Sequence, residues 1–370
     1  MKMYKYTLYM KKVYTWLTKL LRAMAELAGL DTLIIGTEAR RISGEIAAGN
    51  INANTIVTPE QFSAIDKLAT GKMLAGLVDH TQLSAFAARK DIEKLAKEAH
   101  ELGTASVCVN EGRITDAANI LDDLNSQVKA CCVIGFPLGA ATSYVKAHSA
   151  VDAVKIRADE VDMVINVGYL KDKDTKRFKE DIERVMFHLW EYTSNNKKKD
   201  IVLKVILENC YLTSEEIVYA TQTVAKLAKH YLHTRNHSGL KVFVKTSTGF
   251  GTPAKSPVPK KDYGKGMVDT AVGATIEDVY LMRQAIDEVT KVTRPGDTSN
   301  QDDNSNQDDN YKYVVGIKAA GGIKDRETAL KMMVAAGCLI KDEKTSEYKL
   351  RENYQDIFRI GASATKEICK

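Results

Sequence analysis

Short apolar runs rich in β-branched residues alternate with longer amphipathic segments from about Leu74 to the end of the sequence. The short runs have the length and composition of buried strands, and the longer segments repeat their apolar residues at helical spacing. Eight such strand–helix units follow one another, the last of them short, and they begin with LAGLVD, ASVCVN, VKACCVIGFP, EVDMVIN, DIVLKVILE, LKVFVKTSTG, YVVGIKAAGG and FRIGASATKEI. Regular alternation of this kind predicts an α/β fold with a parallel sheet covered by helices.

The number of units predicts how that sheet is arranged. Eight units favour a closed (β/α)8 barrel, a TIM barrel, over an open doubly wound sheet. An open sheet would be expected to carry a GxGxxG turn after its first strand, and the segment LVDHTQLS contains none. We therefore predict one TIM-barrel domain over residues 74–370.

Two segments that precede this repeat differ from it in composition. Residues 24–73 carry helical periodicity, with Thr58 before Pro59 as an N-cap, and predict a helical segment packed on the barrel. Residues 1–23 are basic, rich in tyrosine and free of acidic residues, which predicts a basic N-terminal extension. Disorder of this extension, an organelle-targeting or membrane-surface helix, and a true start at Met24 all stay open.

A low-complexity segment interrupts the barrel. The sequence SNQDDN occurs twice in tandem inside residues 296–311, between the sixth helix and the seventh strand. Such a polar repeat cannot bury enough apolar surface to fold, so we predict a disordered insertion there.

Composition and charge exclude several classes of protein. The formal net charge is +5, but six basic residues precede the first acidic residue, Glu26, so the rest of the chain is close to neutral. A near-neutral body argues against nucleic acid as the main partner, and no run of about 18 apolar residues is present to span a membrane. The six cysteines show no CxxC spacing, which is typical of reduced thiols and predicts a cytoplasmic location.

Two lysines stand in strand-like surroundings, Lys245 in FVKTSTG and Lys318 in VVGIKAAGG. A lysine inside a buried strand is costly unless it does chemistry, because an unpaired ammonium is strongly disfavoured in apolar surroundings. Like-charge repulsion and desolvation both lower the pKa of an amine, which leaves a neutral nucleophile able to attack a carbonyl. The pair therefore predicts a Schiff-base enzyme. No cluster of metal ligands and no Ser/His/Asp set is apparent.

Strand alternation adds two residues to this pair. If the apolar face of each strand packs under the helices, then Asp162, Lys204, Lys245 and Lys318 all point into the barrel from strands four to seven. A structural cluster of ion pairs that fills the barrel is the alternative interpretation.

Glycine-bearing turns follow the last two strands. AAGGIKD and RIGASA bring together Gly321, Gly322, Gly361 and Ser363, and Lys324 adds a positive charge. Loops after strands seven and eight form the recurrent phosphate pocket of TIM barrels. We therefore predict a phosphate site here, with simple tight turns as the alternative.

In combination and in order, FVKTSTGF, GIKAAGG, ADEVDMVIN, LKVILE and RIGAS resemble the motifs of the deoxyribose-phosphate aldolase family, the DeoC-type class I aldolases. The resemblance implies that Lys245 forms the Schiff base, that Lys318 is the second lysine, and that Asp162 transfers protons through a water. It also implies a substrate channel and a phosphate site, to which further residues belong: Asp79, Thr81, Cys108, Lys204 and Thr248 in the channel, and Gly249 in the phosphate site.

The same resemblance implies cleavage of 2-deoxy-D-ribose 5-phosphate to D-glyceraldehyde 3-phosphate and acetaldehyde, without a cofactor, in deoxynucleoside catabolism. A Schiff-base aldolase for another sugar phosphate and an inactive barrel that serves as a binding scaffold are the alternatives, and a homodimer is left open. The sequence departs from the family pattern at Ala364, where some members have a second serine, and in a longer loop after Gly251. It also ends Ile-Cys-Lys, without the terminal tyrosine that some members use in proton transfer.

Overall fold

The computed structural model describes residues 37–195, 200–233, 239–252, 273–290, 315–342 and 344–370. The extension predicted for residues 1–23 and the insertion predicted for residues 296–311 lie outside these ranges, as does most of the loop after Gly251.

Eight parallel strands close into a barrel, which confirms the predicted α/β TIM-barrel fold. The strands of the described chain are β1 Val78–Gln82, β2 Ser106–Asn110, β3 Lys129–Ile134, β4 Glu160–Val164, β5 Ile201–Ile206, β6 Leu240–Lys245, β7 Val315–Ala320, β8 Leu339–Lys341, β9 Tyr348–Leu350 and β10 Phe358–Ala362. Strands β1 to β7 follow one another around the barrel, and β10 closes it between β7 and β1. The other two strands, β8 and β9, form a small antiparallel hairpin that the sequence pattern did not predict.

Helices cover the barrel and precede it. They are α1 Thr37–Ala47, α2 Ala53–Ile56, α3 Pro59–Leu68, α4 Gly71–Ala75, α5 Arg89–Leu102, α6 Ile114–Asp123, α7 Ser143–Lys155, α8 Val167–Lys171, α9 Thr175–Asn195, α10 Ser214–His233, α11 Ile276–Thr290, α12 Arg326–Ala335, α13 Tyr354–Ile357 and α14 Thr365–Ile368. Within the described ranges, no helix is both long and apolar enough to cross a membrane.

The helices before the barrel begin where local chemistry favours them and lie against its outer layer. The Thr58 hydroxyl accepts a hydrogen bond from the Gln61 backbone N–H at 3.2 Å, and the Gln61 side chain accepts one from the Thr58 N–H at 2.9 Å. With Pro59 in the first turn, this capping box starts α3 at the predicted position. At the start of α2, the Ala53 N–H donates to Glu277 Oε1 of α11 at 2.8 Å.

Each barrel strand presents one face to the helices and the other to the barrel interior. The outward residues, such as Val161, Met163, Val244 and Ile317, are fully buried in one continuous apolar core. Inside, Phe243 fills the lower part of the barrel, where a Cβ on Gly316 would lie 2.3 Å from its Cε1 atom. The charged residues therefore collect in the layers between this aromatic ring and the carboxyl ends of the strands.

Candidate active site

The polar interior is set by strand register. Lys245 and Lys318 are paired neighbours on β6 and β7, and Asp162 is the paired neighbour of Lys204 on β4 and β5. Paired residues on neighbouring parallel strands point to the same side of the sheet, and here that side is the barrel interior. All four side chains enter the barrel, where ion pairs join them.

Asp162 lies at the centre of this group. Its Oδ2 atom accepts hydrogen bonds from Lys245 Nζ and from Lys318 Nζ, each at 2.8 Å, and its Oδ1 atom accepts one from Lys204 Nζ at 2.9 Å. Burial alone would raise the pKa of the Asp162 carboxyl, but the three ammonium charges outweigh burial and hold the pKa well below its usual range. Asp162 is therefore a permanent carboxylate in the resting protein.

Asp79, on β1, supplies a second carboxylate. Its Oδ2 atom lies 2.6 Å from Lys318 Nζ and 3.2 Å from Lys204 Nζ, although the angles are poor for hydrogen bonds. Burial would raise the pKa of Asp79 as well, and the charges of Lys204 and Lys318 lower it below its usual range. Lys318 thus lies between two carboxylates, Asp79 and Asp162, which are far apart in the sequence.

These carboxylates fix the charge of the second lysine. Burial would lower the pKa of Lys318, but Asp162 and Asp79 outweigh burial and raise the pKa above its ordinary value. The same balance raises the pKa of Lys204 well above its ordinary value. The sequence suggested that desolvation would lower the pKa of the Lys245 and Lys318 pair, but desolvation does not prevail at Lys318. Lys318 and Lys204 are cations.

Lys245 differs from the other two lysines in its access to solvent and in the charge balance around it. Its side chain is 3% exposed, whereas those of Lys204 and Lys318 are fully buried. The rest of the ion-pair network is balanced, because three carboxylates face three other cations, namely Asp79, Glu160 and Asp162 with Lys204, Lys318 and Arg359. Lys245 is a fourth basic side chain beside the three carboxylates of this network.

Sequence reasoning missed two members of that network. Glu160 Oε2 lies 2.5 Å from Lys204 Nζ, and Arg359 reaches Asp79 Oδ1 at 3.3 Å through its Nη1 atom. Both could have been found from alternation, because Glu160 is two residues before Asp162 and Arg359 is two residues before Gly361. Glu160 is a counterion of the buried Lys204, and Arg359 is a counterion of the Asp79 and Glu160 carboxylates.

A cavity of about 400 Å³ opens above the network at the carboxyl ends of the strands. Its wall includes many of the residues singled out from sequence, namely Thr81, Lys245, Thr248, Gly249, Gly321, Gly322, Lys324, Gly361 and Ser363. The structure places the remaining ones beneath the cavity floor, fully buried, namely Asp79, Cys108, Asp162, Lys204 and Lys318. Ala364, the departure from the family pattern, also lies in the wall.

One end of the cavity is built of glycine turns. Gly249, Gly321 and Gly322 have φ angles of 85°, 82° and 79°, in the left-handed region that favours glycine. Such turns expose backbone N–H groups, and the exposed Lys324 adds a positive charge beside them. This end of the cavity is suited to an anion.

The loop that carries Thr248 and Gly249 is fixed by a buried acid that the sequence reasoning did not assign to the site. Glu208 has a left-handed backbone, with φ of 59°, and its Oε2 atom accepts hydrogen bonds from the Thr248 N–H at 3.2 Å and from the Thr248 hydroxyl. Burial raises the pKa of Glu208. Its position on the same strand face as Lys204, four residues earlier, was the available signal.

A substitution at Gly361 tests how much room the Lys318 side chain has. A Cβ at this position would lie 3.0 Å from Lys318 Cε and 2.9 Å from Ala320 Cβ, so Gly361→Ala is expected to displace the Lys318 ammonium. We expect kcat to fall by about a hundredfold, as for other misplacements of about 1 Å. Gly112→Ala is the matched control, because nothing lies within 4 Å of its Cβ. Equal activity of both variants would mean that Lys318 has room to move.

The pH dependence of stability follows from the same ion pairs. The pKa values of Asp79 and Asp162 are lowered from 3.8, so their contribution is present above that pH and is lost as the pH falls below it. The pKa values of Lys204 and Lys318 are raised from 10.5, so their contribution is present below that pH and is lost as the pH rises through the folded values. We expect the free energy of unfolding, from urea titrations at successive pH values, to decrease on both sides of this window. Asp79→Asn should flatten the acid side.

A closed parallel barrel with lysines under a cavity at the carboxyl ends of its strands is the architecture expected of a TIM-barrel lyase of the aldolase class. A family model described as DeoC/LacD family aldolase matches residues 73–341. The chain belongs to this family.

Named relatives agree with this assignment. Deoxyribose-phosphate aldolase of Thermoanaerobacter sp. (strain X514) is 40% identical over 264 residues, which are 71% of this chain and 89% of that protein. The enzyme of the same name from Thermococcus kodakarensis is 40% identical over 262 residues, again 71% and 89% of the two chains. A solved structure from Coccidioides immitis, provisionally assigned as a deoxyribose-phosphate aldolase, has a TM-score of 0.56 and 26% identity, over 87% of this chain and 98% of that one.

Proposed function

We propose that this protein is a deoxyribose-phosphate aldolase, which reversibly cleaves 2-deoxy-D-ribose 5-phosphate to D-glyceraldehyde 3-phosphate and acetaldehyde. The observation that carries the proposal is the position of Lys245, because its amine contacts the Asp162 carboxylate at 2.8 Å and has the cavity above it. The names of the relatives, deoxyribose-phosphate aldolase, indicate the substrate. The rival substrates are other phosphorylated sugars.

Binding follows from the two ends of the cavity. The phosphate of the open-chain sugar would occupy the glycine-lined end, where it meets the Gly321 and Gly322 turns, the Ser363 hydroxyl and Lys324. The aldehyde at the other end of the sugar would then lie over Lys245. Thr81 and Thr248 also line the cavity, and their hydroxyl hydrogens are donated to the Asp79 carbonyl and to Glu208.

Catalysis begins with the neutral form of Lys245. Its lone pair attacks the aldehyde carbon C1, and loss of water from the resulting carbinolamine gives an iminium ion. Removal of the proton from the C3 hydroxyl then breaks the C2–C3 bond, whose electrons move into the iminium. Glyceraldehyde 3-phosphate leaves, and an enamine remains on Lys245. Protonation of that enamine at C2 and hydrolysis of the new iminium release acetaldehyde and restore the amine.

The neighbouring charges suit each step. Asp162, as a carboxylate that touches Lys245, is the group that accepts and returns protons, with a water between it and the substrate. Lys318 shares the same Oδ2 atom, so a second cation competes with Lys245 for the Asp162 carboxylate. The iminium carries a positive charge, which the neighbouring Asp162 carboxylate would stabilise.

The test of this function is a product assay. Purified protein incubated with 2-deoxy-D-ribose 5-phosphate is expected to release acetaldehyde and glyceraldehyde 3-phosphate in equal amounts, and to leave fructose 1,6-bisphosphate unchanged. Cleavage of the bisphosphate in preference to the deoxy sugar would favour the rival substrate class. Absence of cleavage with either sugar would favour a binding scaffold.

The phosphate site predicts a second substrate effect. Deoxyribose without its phosphate should be cleaved with a kcat/KM lower by about a hundredfold or more, because the binding energy of the phosphate is lost. Ser363→Ala should raise KM for the phosphorylated sugar and leave the value for free deoxyribose unchanged. Equal losses for both sugars would place Ser363 outside the phosphate site.

Three predictions from the sequence remain to be tested: a role in deoxynucleoside catabolism, a cytoplasmic location and the lack of a nucleic-acid partner. The homodimer that was left open can be checked by sedimentation equilibrium.

A further inference from the structure

Two cysteines lie side by side within the barrel, and the reaction described above does not use the second of them. Cys108 on β2 and Cys131 on β3 are paired neighbours in the strand register, and both are fully buried. Cys131 Sγ lies 3.2 Å from Asp162 Oδ1 and 3.3 Å from Lys204 Nζ. The two sulfur atoms and an oxygen of Asp162 all lie within 4.8 Å of one another.

We propose that Cys108 and Cys131 form an oxidisable dithiol, which hydrogen peroxide converts to a reversible disulfide inside the barrel. Neighbouring strands of a sheet are about 4.8 Å apart, which is within the range of Cα separations that a disulfide spans. The bond therefore needs rotation of the two side chains rather than separation of the strands.

The surroundings make one of the two thiols more reactive toward peroxide than the other. The hydrogen bond with Cys131 lowers the pKa of Cys108, and the charges of Lys318 and Lys245 act in the same direction against burial. Burial raises the pKa of Cys131 well above its ordinary value. Cys108 is therefore the thiol that reacts first, because the thiolate is the nucleophile.

The chemistry balances with peroxide as the oxidant. The Cys108 thiolate attacks one peroxide oxygen and breaks the O–O bond, which gives a sulfenic acid and a hydroxide. The Cys131 sulfur then attacks the Cys108 sulfur, forms the S–S bond and releases the sulfenic oxygen as water. The hydroxide takes up the proton that Cys108 lost, so two thiols and one peroxide become one disulfide and two waters.

Peroxide would reach this position from the cavity above it. Cys108 is the paired neighbour of Thr81, which lies in the cavity wall. The reaction proposed above also requires water to reach the level of Asp162, and peroxide is only slightly larger than water.

Oxidation is expected to lower activity. The new bond turns the Cys131 sulfur from Asp162 Oδ1 toward β2 and so removes one of the contacts that orient this carboxylate. This consequence rests on the proposed function, whereas disulfide formation itself does not.

Peptide mapping, combined with an activity assay, distinguishes disulfide formation from its effect on activity. The folded full-length protein is treated with peroxide, unfolded with N-ethylmaleimide present, and digested with trypsin without reduction. Cys108 falls in the peptide of residues 98–113, and Cys131 shares the peptide of residues 130–146 with Cys132. We expect the two peptides to be joined, with the loss of two hydrogen atoms, and aldolase activity to fall in proportion to the joined fraction.

Cys132 provides the matched control. It is adjacent in sequence but belongs to the outward-facing core, so Cys132→Ala should form the same cross-link, now assigned to Cys131 without ambiguity. Dithiothreitol should restore the activity of the oxidised wild-type protein and of Cys132→Ala. In Cys131→Ala the Cys108 sulfenic acid has no partner, so we expect no joined peptide and further, irreversible oxidation of Cys108.

Two results would overturn the proposal. One is a Cys108 that stays a free thiol, or that passes to the sulfinic acid in wild-type protein while Cys131 is still blocked by N-ethylmaleimide. The other is a cross-link that persists in Cys131→Ala. A joined peptide in a protein that does not cleave the deoxy sugar would support the dithiol and count against the proposed function alone.

Discussion

Lys245→Met is expected to lower kcat/KM for 2-deoxy-D-ribose 5-phosphate by about 10⁴-fold or more, because the covalent intermediate can no longer form. The fold should be retained. Lys245 is the fourth basic side chain of the network, so its removal leaves three carboxylates facing three other cations. We therefore expect the free energy of unfolding to be unchanged or higher, which is unusual for the loss of a buried lysine.

Lys324→Met is the control for this variant. Its side chain is an exposed lysine in the same cavity wall, so it should raise KM through weaker phosphate binding with little change in kcat. If Lys245→Met retained measurable turnover comparable with that of Lys324→Met, another group would have to be the nucleophile.

The second large effect is expected for Lys318→Leu. The change removes the cation between Asp79 and Asp162, and the negative charge of Asp162 then pairs with Lys245 and Lys204 alone. Because this favours the protonated form of Lys245, we expect kcat near neutral pH to fall by about a thousandfold and the pH optimum to move upward.

Lys318→Arg separates charge from shape. It keeps the positive charge, so its pH optimum should stay near that of the wild-type protein even if its kcat is lower. Circular dichroism should show that Lys318→Leu remains folded, although the loss of one partner of a buried ion pair can cost about 3–5 kcal/mol of stability. Near-normal turnover of Lys318→Leu would remove Lys318 from the mechanism.

The barrel could be predicted from the sequence because its signal is local. Each strand is a short apolar run beside an amphipathic helix, and inward positions such as Asp162 and Lys245 follow from alternation along a single strand. The β8–β9 hairpin was missed because its strands have three residues each and are mostly polar on their exposed sides. Neither the barrel nor the hairpin tests the predictions for residues 1–23 and 296–311, which lie outside the described ranges.

The electrostatics of the site could not be predicted in the same way. Asp79 and Lys318 meet over β10, the strand between β1 and β7, although they lie far apart in sequence, and Arg359 reaches both Asp79 and Glu160. Sequence reasoning placed only Asp162 among the three lysines and expected desolvation to lower the pKa of Lys245 and Lys318. The structure shows instead a network in which carboxylates raise the pKa values of Lys204 and Lys318 above the ordinary value. Lys245 is a fourth basic side chain beside the three carboxylates of that network.

The most direct measurement is reduction of the covalent intermediate. The protein is incubated with 2-deoxy-D-ribose 5-phosphate, treated with sodium borohydride and mapped by peptide mass, with borohydride alone and fructose 1,6-bisphosphate as controls. We expect a stable substrate-derived adduct on Lys245, which appears with the deoxy sugar and in neither control. An adduct on Lys204 or Lys318, or an unmodified Lys245 in a protein that turns the sugar over, would contradict it.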